Sequence, residues 1–153
     1  NTGQQFLLIG GGVGTAPILY LGAQLQAKGF SPSFLLVARY KGDLLQLDEF
    51  ALYGKVYCTT GDGSYGEKGY VTNHSILKEA SFSGIFTCGP KPMMVAVARY
   101  ANDNKIDCEV SLENLMACGI GACLCCIENA SEGNICVCTE GPVFNIDKLT
   151  WIS

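Results

Sequence analysis

Apolar residues along this chain fall in short blocks, separated by glycine-rich or polar stretches. QFLLIG (Gln5 to Gly10) and SFLLVAR (Ser33 to Arg39) are nearly continuous apolar runs without period-two alternation, the pattern of strands buried on both faces. KVYCTT (Lys55 to Thr60), GIFTCG (Gly84 to Gly89) and IDCEVSLE (Ile106 to Glu113) predict three more strands. Between them lie helix-like stretches. One runs from about Pro17 to Lys28 and stops at Gly29. An amphipathic piece lies in DLLQLDEFALYG, and a short helix, NHSILKEA, is capped by Thr72. The last, PKPMMVAVARYANDN, carries its prolines where a first helical turn tolerates them. Strands alternating with helices predict an α/β domain with a five-stranded parallel sheet and helices on both faces. Such sheets bind ligands at the C-terminal ends of their strands, near the point where strand order reverses. The glycine-rich loops after the first, third and fourth strands all fall on that edge.

The pattern changes after Glu113. Residues 114–153 show no helical period; they are rich in Cys and Gly and then give a hairpin-like pair, CIENA and NICVC, joined by SEG. The expected organisation is a nucleotide-binding domain over 1–113 and a small C-terminal appendage with a short β-hairpin over 114–153. The appendage is too small to bury much of its own surface, so its cysteines are the expected means of holding it.

Composition narrows the function classes. Of 153 residues, 48% are hydrophobic, enough for one domain with its own core. Net charge is −4 and no basic stripe exists, which argues against nucleic acid as a partner. No apolar run is long enough to span a bilayer. Residue 1 is Asn, and a strand-like segment follows almost at once. The expectation is a cut chain, from which an N-terminal portion was removed or omitted.

Two stretches carry the chemistry. The first is GGGVGTAP, Gly10 to Pro17, directly after the first strand. Glycines let the backbone approach a diphosphate, and the helix that follows offers free N–H groups and a partial positive charge. The register is Gly12-x-Gly14-x-x-Pro17, a variant of the dinucleotide fingerprint in which Pro replaces the third Gly. A tight strand-to-helix turn would look the same. The expected acidic ribose reader is missing from the end of the second strand, where Arg39, Tyr40 and Lys41 stand, so NAD and NADP both remain open. In the later GDGSYG loop, Asp62 and Ser64 are candidates for ribose or the nicotinamide end, or are simply turn residues.

The second stretch is MACGIGACLCCIENASEGNICVC, residues 116–138, which holds six of the chain's nine cysteines. Cys118, Cys123 and Cys126 give C-x4-C-x2-C with a distant fourth cysteine, the plant-type spacing for a 2Fe–2S cluster. Gly119 and Gly121 clear space for backbone N–H groups to point at sulfur. A four-thiolate zinc site could use the same residues, although the second pair, CVC, lacks the usual zinc spacing. Disulfides fit poorly with an odd count in a nucleotide-binding fold. Cys136 and Cys138 compete for the fourth position; two apart in an expected strand, they would share a face. Cys125 reads as spare. The lone His74 reads as a capping or solvent-facing residue, Met93 and Met94 as helix packing, and Glu113 and Glu140 as solvated charges.

GGGVGTAP, GDGSYGEKGYVT and CGPKPM, in that order, resemble the pyridine-nucleotide domain of the ferredoxin reductase superfamily. That resemblance implies a site beside nicotinamide and flavin for Cys88, Gly89 and Pro90, next to the nucleotide loop of Gly10, Gly11, Gly12, Gly14 and Pro17. MACGIGACLCC followed by VCTEGPVF is similar to the iron–sulfur tail of the electron-transfer subunits of NAD-dependent dihydroorotate dehydrogenase, and makes Cys138 the implied fourth ligand. The resemblance covers almost the whole chain. It implies a cytoplasmic oxidoreductase subunit of pyrimidine biosynthesis, using a 2Fe–2S cluster, NAD, and FAD held mainly by an N-terminal β-barrel outside this chain. Electrons would pass from the FMN of a catalytic partner subunit, in a heterotetramer, through cluster and FAD to NAD+, with no acid or base catalyst here; this piece alone would be inactive. Small subunits of NADH-dependent ferredoxin:NADP oxidoreductases carry a similar layout and give an alternative. A non-catalytic nucleotide- and metal-binding module is the alternative of another class.

Overall fold

The computed structural model describes residues 4–152. The expectation about the chain's start falls on Asn1, outside the described residues. In chain order the elements are β1 (Phe6–Gly11), α1 (Thr15–Ala27), β2 (Ser33–Ala38), α2 (Leu47–Tyr53), β3 (Lys55–Thr60) and β4 (Glu67–Lys68). Then come α3 (Ile76–Glu79), β5 (Gly84–Cys88), α4 (Lys91–Asp103) and β6 (Asp107–Ser111). The cysteine-rich part holds β7 (Ile127–Ala130), β8 (Gly133–Cys136), the single turn α5 (Val137–Glu140) and β9 (Val143–Asn145).

The main sheet has seven strands in the order β4-β3-β2-β1-β5-β6-β9. This corrects the expected five. The five long strands are those the apolar runs predicted, and all pair in parallel. The additions are edge strands of two and three residues, too short to show a period of their own. β4 pairs in parallel with β3, whereas β9 runs antiparallel to β6, with Val110 opposite Phe144. The predicted hairpin forms from β7 and β8, pairing Ile127 with Cys136 and Ala130 with Gly133.

Alternation along the buried strands supplies two cores. Leu8, Phe34, Leu36 and Ile18 pack with Phe50 on the face covered by α1 and α2. Leu7, Ile9, Leu35 and Ile85 pack with Val97, Ala98 and Ala101 on the face covered by α4. Cys126, Val137, Phe144, Ile146, Leu149 and Trp151 belong to that second core and are all buried. The cysteine-rich part is therefore anchored by ordinary apolar burial, about 25 cal/mol for each Å² of apolar surface removed from water. The expectation that cysteines must hold it took too local a view of its sequence: the burial is shared with the core of the main sheet.

Candidate functional site

β1 lies between β2 and β5, so chain order reverses between β1 and β5 and opens a crevice at their C-terminal ends. Gly11 ends β1, Gly12 to Gly14 form one 3₁₀ turn, and Thr15 begins the 13-residue α1. No side chain caps that helix, and Thr15 Oγ1 donates to the Gly12 carbonyl at 2.9 Å instead, so its N-terminal N–H groups face the crevice mouth. Gly12 and Pro17 are exposed on this rim. Gly14 is the contact point between the two loops: a Cβ there would stand 2.4 Å from both the carbonyl carbon and oxygen of Cys88. On the opposite side, a Cβ on Gly89 would meet the Gly11 carbonyl oxygen at 2.7 Å. Met93 Sδ lies where a Gly11 side chain would begin, so this methionine packs on the loop as well as on its helix. Gly10, Gly11, Gly12, Gly14, Cys88, Gly89 and Pro90 are thus one continuous backbone surface.

Cys88 itself is fully buried, and desolvation, reinforced by nearby Glu113, pushes its thiol up to about 11. Its Sγ donates to Glu113 Oε1 at 3.6 Å. A neutral thiol here fills space and donates; it is no nucleophile at neutral pH. Glu113 consequently has a partner and is not the free solvated charge its sequence context suggested.

Asp62 and Ser64 stand two strands from the crevice, on the loop after β3. Ser64 N and Oγ both donate to Asp62 Oδ1, at 2.9 and 2.7 Å, and these bonds hold the Asp62 carboxyl below the usual carboxylate range. The Lys41 N–H donates to Ser64 Oγ at 2.8 Å, which ties this loop to the end of β2 beside Arg39. His74 is buried rather than solvent-facing, and its Nδ1 accepts the Ile76 N–H at 3.1 Å, the capping role expected of it.

The cysteine loop turns three left-handed corners, at Gly119, Gly121 and Leu124, with φ of 70°, 76° and 59°. These fold the chain back so that thiols meet two by two. Cys118 Sγ receives the Cys123 N–H at 3.4 Å, and backbone N–H groups of Ile120, Cys123 and Ala122 with the Cys123 thiol lower it to about 6. Cys126 Sγ receives the Cys138 N–H at 3.4 Å and is lowered by that bond and by the Cys138 thiol. Cys138 is raised in turn as donor to Cys126. Two sulfurs are thereby prepared to carry negative charge by oriented backbone N–H groups. Among the described residues no three His, Cys, Asp or Glu groups gather around one point; four of the thiols stand in two pairs, Cys118 with Cys123 and Cys126 with Cys138.

The expectation that Cys136 and Cys138 share a strand face is corrected. The strand ends at Cys136, and Val137 starts the helical turn α5 with its side chain buried. That turn carries Cys138 to Cys126. Cys136 is left with its N–H donating to Glu140 Oε1 at 2.8 Å, so Glu140 also has a partner. Cys125 is exposed, reaches the Cys123 carbonyl at 3.8 Å, and its thiol is raised by the Cys123 thiol. All nine cysteines are free.

Sequence reasoning passed over Glu128, Lys91, Asn114 and Trp151, which form one hydrogen-bonded group between the crevice and the cysteine loop. The missed signal lies in β7, where Ile127 is outside and Glu128 inside.

Comparison with known proteins follows this geometry. Residues 113–150 match the family described as the iron–sulfur cluster binding domain of dihydroorotate dehydrogenase B. A protein of Methanocaldococcus jannaschii named as the probable electron transfer subunit of dihydroorotate dehydrogenase B (NAD(+)) is 42% identical, over 98% of this chain and 58% of its own length. The subunit so named in a Geobacillus species is 40% identical, over 97% of this chain and 58% of its own length. Nearly the whole chain is thus similar to proteins named as dihydroorotate dehydrogenase B electron transfer subunits, and residues 113–150 match the iron–sulfur domain of that enzyme. It spans less than two thirds of the length of these relatives. Among solved structures, an NADH-dependent reduced ferredoxin–NADP oxidoreductase superposes with TM-score 0.85 at 32% identity, over 97% of this chain and 54% of that one. The C-terminal domain of a Pyrococcus furiosus hydrogenase, at 13% identity and TM-score 0.59, shares the fold over 73% of this chain and 93% of that one. No described helix is long and apolar enough to cross a membrane.

Proposed function

We propose that this chain is the nucleotide- and cluster-binding part of an electron-transfer subunit that links the FMN of a dihydroorotate-oxidising partner to NAD+. The carrying observation is the pairing of Cys118 with Cys123 and of Cys126 with Cys138, each pair with a backbone N–H on a sulfur. A 2Fe–2S cluster takes four cysteine thiolates, two for each iron. The donor set fits that demand: Cys118 and Cys123 would hold one iron, and Cys126 and Cys138 the other. Space beside Gly119 is open, and at Gly121 the missing side chain is what avoids Thr139, whose Cγ2 would stand 3.2 Å from a Cβ there. When bound, the cluster supplies single-electron chemistry beside the two-electron hydride chemistry of nicotinamide and flavin.

The chain's own residues bind, orient and exclude. The Gly10–Gly14 turn and the start of α1 take the diphosphate of NAD, with Pro17 on the rim of the first turn. Cys88, Gly89 and Pro90 set the floor for the nicotinamide end at the β1/β5 crevice, and the buried Cys88 thiol keeps water from that floor. The Asp62–Ser64 loop, already fixed by its own hydrogen bonds, shapes the ribose end beside Arg39. FAD sits mainly on a further domain, so this chain alone is inactive. The complete subunit pairs with the FMN subunit in a heterotetramer and works in the cytoplasm, where the free thiols stay reduced.

The likeness to the ferredoxin–NADP oxidoreductase favours a second reading, in which the same cradle serves a ferredoxin-linked reductase. The discriminating experiment uses the complete subunit with its partner, under anaerobic conditions. Dihydroorotate is expected to bleach the visible absorbance and give a reduced-cluster EPR signal. Reduction by NADH but not by dihydroorotate in the assembled complex would support the second reading.

A further inference from the structure

Glu128 is the only acidic side chain buried among the described residues, at 6% exposure. Its two oxygens collect donors from three separate parts of the chain. Lys91 Nζ donates to Oε1 at 2.6 Å and Trp151 Nε1 to the same oxygen at 3.2 Å. Asn114 Nδ2 donates to Oε2 at 3.2 Å. Lys91 is the first residue of α4 and follows Cys88, Gly89 and Pro90 directly. Asn114 leads from β6 into the cysteine loop, and the same Nδ2 reaches the carbonyls of Cys126 and Ile127 at 3.5 and 3.4 Å. Lys91 Nζ also stands 5.5 Å from the centre of the Trp151 ring, a cation–π contact beside the ion pair.

A buried carboxylate is costly, and replacing such a pair by apolar residues is often harmless to stability. Stability alone is therefore a weak reason for this group. Geometry supplies a stronger one: the carboxylate is the shared anchor of the nicotinamide-side loop, of the strand that follows Cys126, and of the C-terminal tryptophan. Electron transfer between two centres depends on their being held in register, and charge-assisted bonds to a buried carboxylate resist drift better than apolar contact, which is non-directional.

On the reading that Cys118 to Cys138 cradle a cluster and Cys88 to Pro90 face the nicotinamide and flavin, we propose that Glu128 is a positioning residue that holds these two regions at a fixed separation through Lys91 and Asn114. It touches neither cofactor and acts through its partners.

The test uses the complete subunit, loaded with FAD and cluster, in three variants: Glu128→Ala, Glu128→Gln and Lys91→Ala. Stopped-flow with NADH separates bleaching of the flavin by hydride from the later reduction of the cluster. In Glu128→Ala the flavin step is expected within about twofold of the parent, while the cluster step slows by roughly tenfold or more. Glu128→Gln keeps an acceptor for Lys91 and Trp151 and restores most of the rate. Lys91→Ala removes the same anchor from the other side, far-UV circular dichroism checks that it folds, and it slows the cluster step in the same way. Independently of turnover, amide exchange in residues 126–130 is expected to rise roughly ten- to a hundredfold in Glu128→Ala, with little change in α1 and β2. An unchanged cluster step in Glu128→Ala and Lys91→Ala would overturn the positioning role, as would equal losses in Glu128→Ala and Glu128→Gln. A parent protein that binds no iron, or whose flavin ignores NADH, would instead overturn the functional reading beneath it.

Discussion

Cys136 and Cys138 stand two residues apart in different situations. Cys136 ends a strand and its N–H is tied to Glu140; Cys138 rides a helical turn to the sulfur of Cys126. Cys138→Ser is therefore expected to remove at least half of the iron bound after anaerobic reconstitution, while Cys136→Ser keeps the parent's content; iron assay of the two variants checks this. The C-x4-C-x2-C spacing was legible in sequence because loop wrapping is local. Which of Cys136 and Cys138 meets Cys126 was not legible from spacing, because the chain leaves its strand at Val137, whose side chain is buried. Glu128 in β7 was passed over for a related reason. The strand turns Ile127 outward and Glu128 inward, the reverse of a hydrophobic pattern, because Lys91, Asn114 and Trp151 arrive from distant parts of the sequence to satisfy the carboxylate.

At the level of elements, the long parallel strands and their helices were legible because both faces are buried and the apolar runs are unbroken. The edge strands were not, since two or three residues carry no period and their pairing is decided by what lies beside them. β9 is the informative case: Phe144 is buried, its backbone pairs with Val110, and the cysteine-rich part is thereby joined to the main sheet. Phe144→Ala is expected to lower unfolding free energy by about 3 kcal/mol, the range for emptying a buried phenylalanine site, as read by urea denaturation. The β1-to-α1 turn makes a sharper demand. With the Cys88 carbonyl 2.4 Å from any Cβ at position 14, Gly14→Ala must push the two crevice loops apart. A loss of about 1–3 kcal/mol in stability is expected, with weakened NADH binding by calorimetry, whereas Gly12→Ala, which meets nothing within 4 Å, leaves the two loops in contact and strains only its own backbone.

Across the whole molecule the thiols divide into two populations. Cys58, Cys88 and Cys108 lie inside the fold, where burial pushes them up to about 11, 11 and 12 from an ordinary 9.0. A raised folded-state value contributes stability that is complete below the unfolded value and is lost as pH climbs toward the folded one. Thermal stability is therefore expected to hold up to about pH 9 and to fall between pH 9 and 11, and Cys108→Ala should flatten part of that fall. Melting curves from pH 7 to 11 check the sign. The other population, on the cysteine loop and hairpin, lies at or near the surface, apart from buried Cys126, and includes the two thiols that backbone N–H groups bring down. One fold thus keeps its buried strand thiols protonated and brings Cys118 and Cys126 closer to ionising.

The account stands most directly on what those prepared thiols bind. Iron, acid-labile sulfide and zinc, measured on anaerobically purified protein together with its visible spectrum, address it in one preparation. Two irons and two sulfides per chain with a coloured, reducible spectrum are predicted, falling away when Cys118, Cys123, Cys126 or Cys138 is replaced by Ser. A colourless protein carrying one zinc per chain on the same cysteines would contradict it.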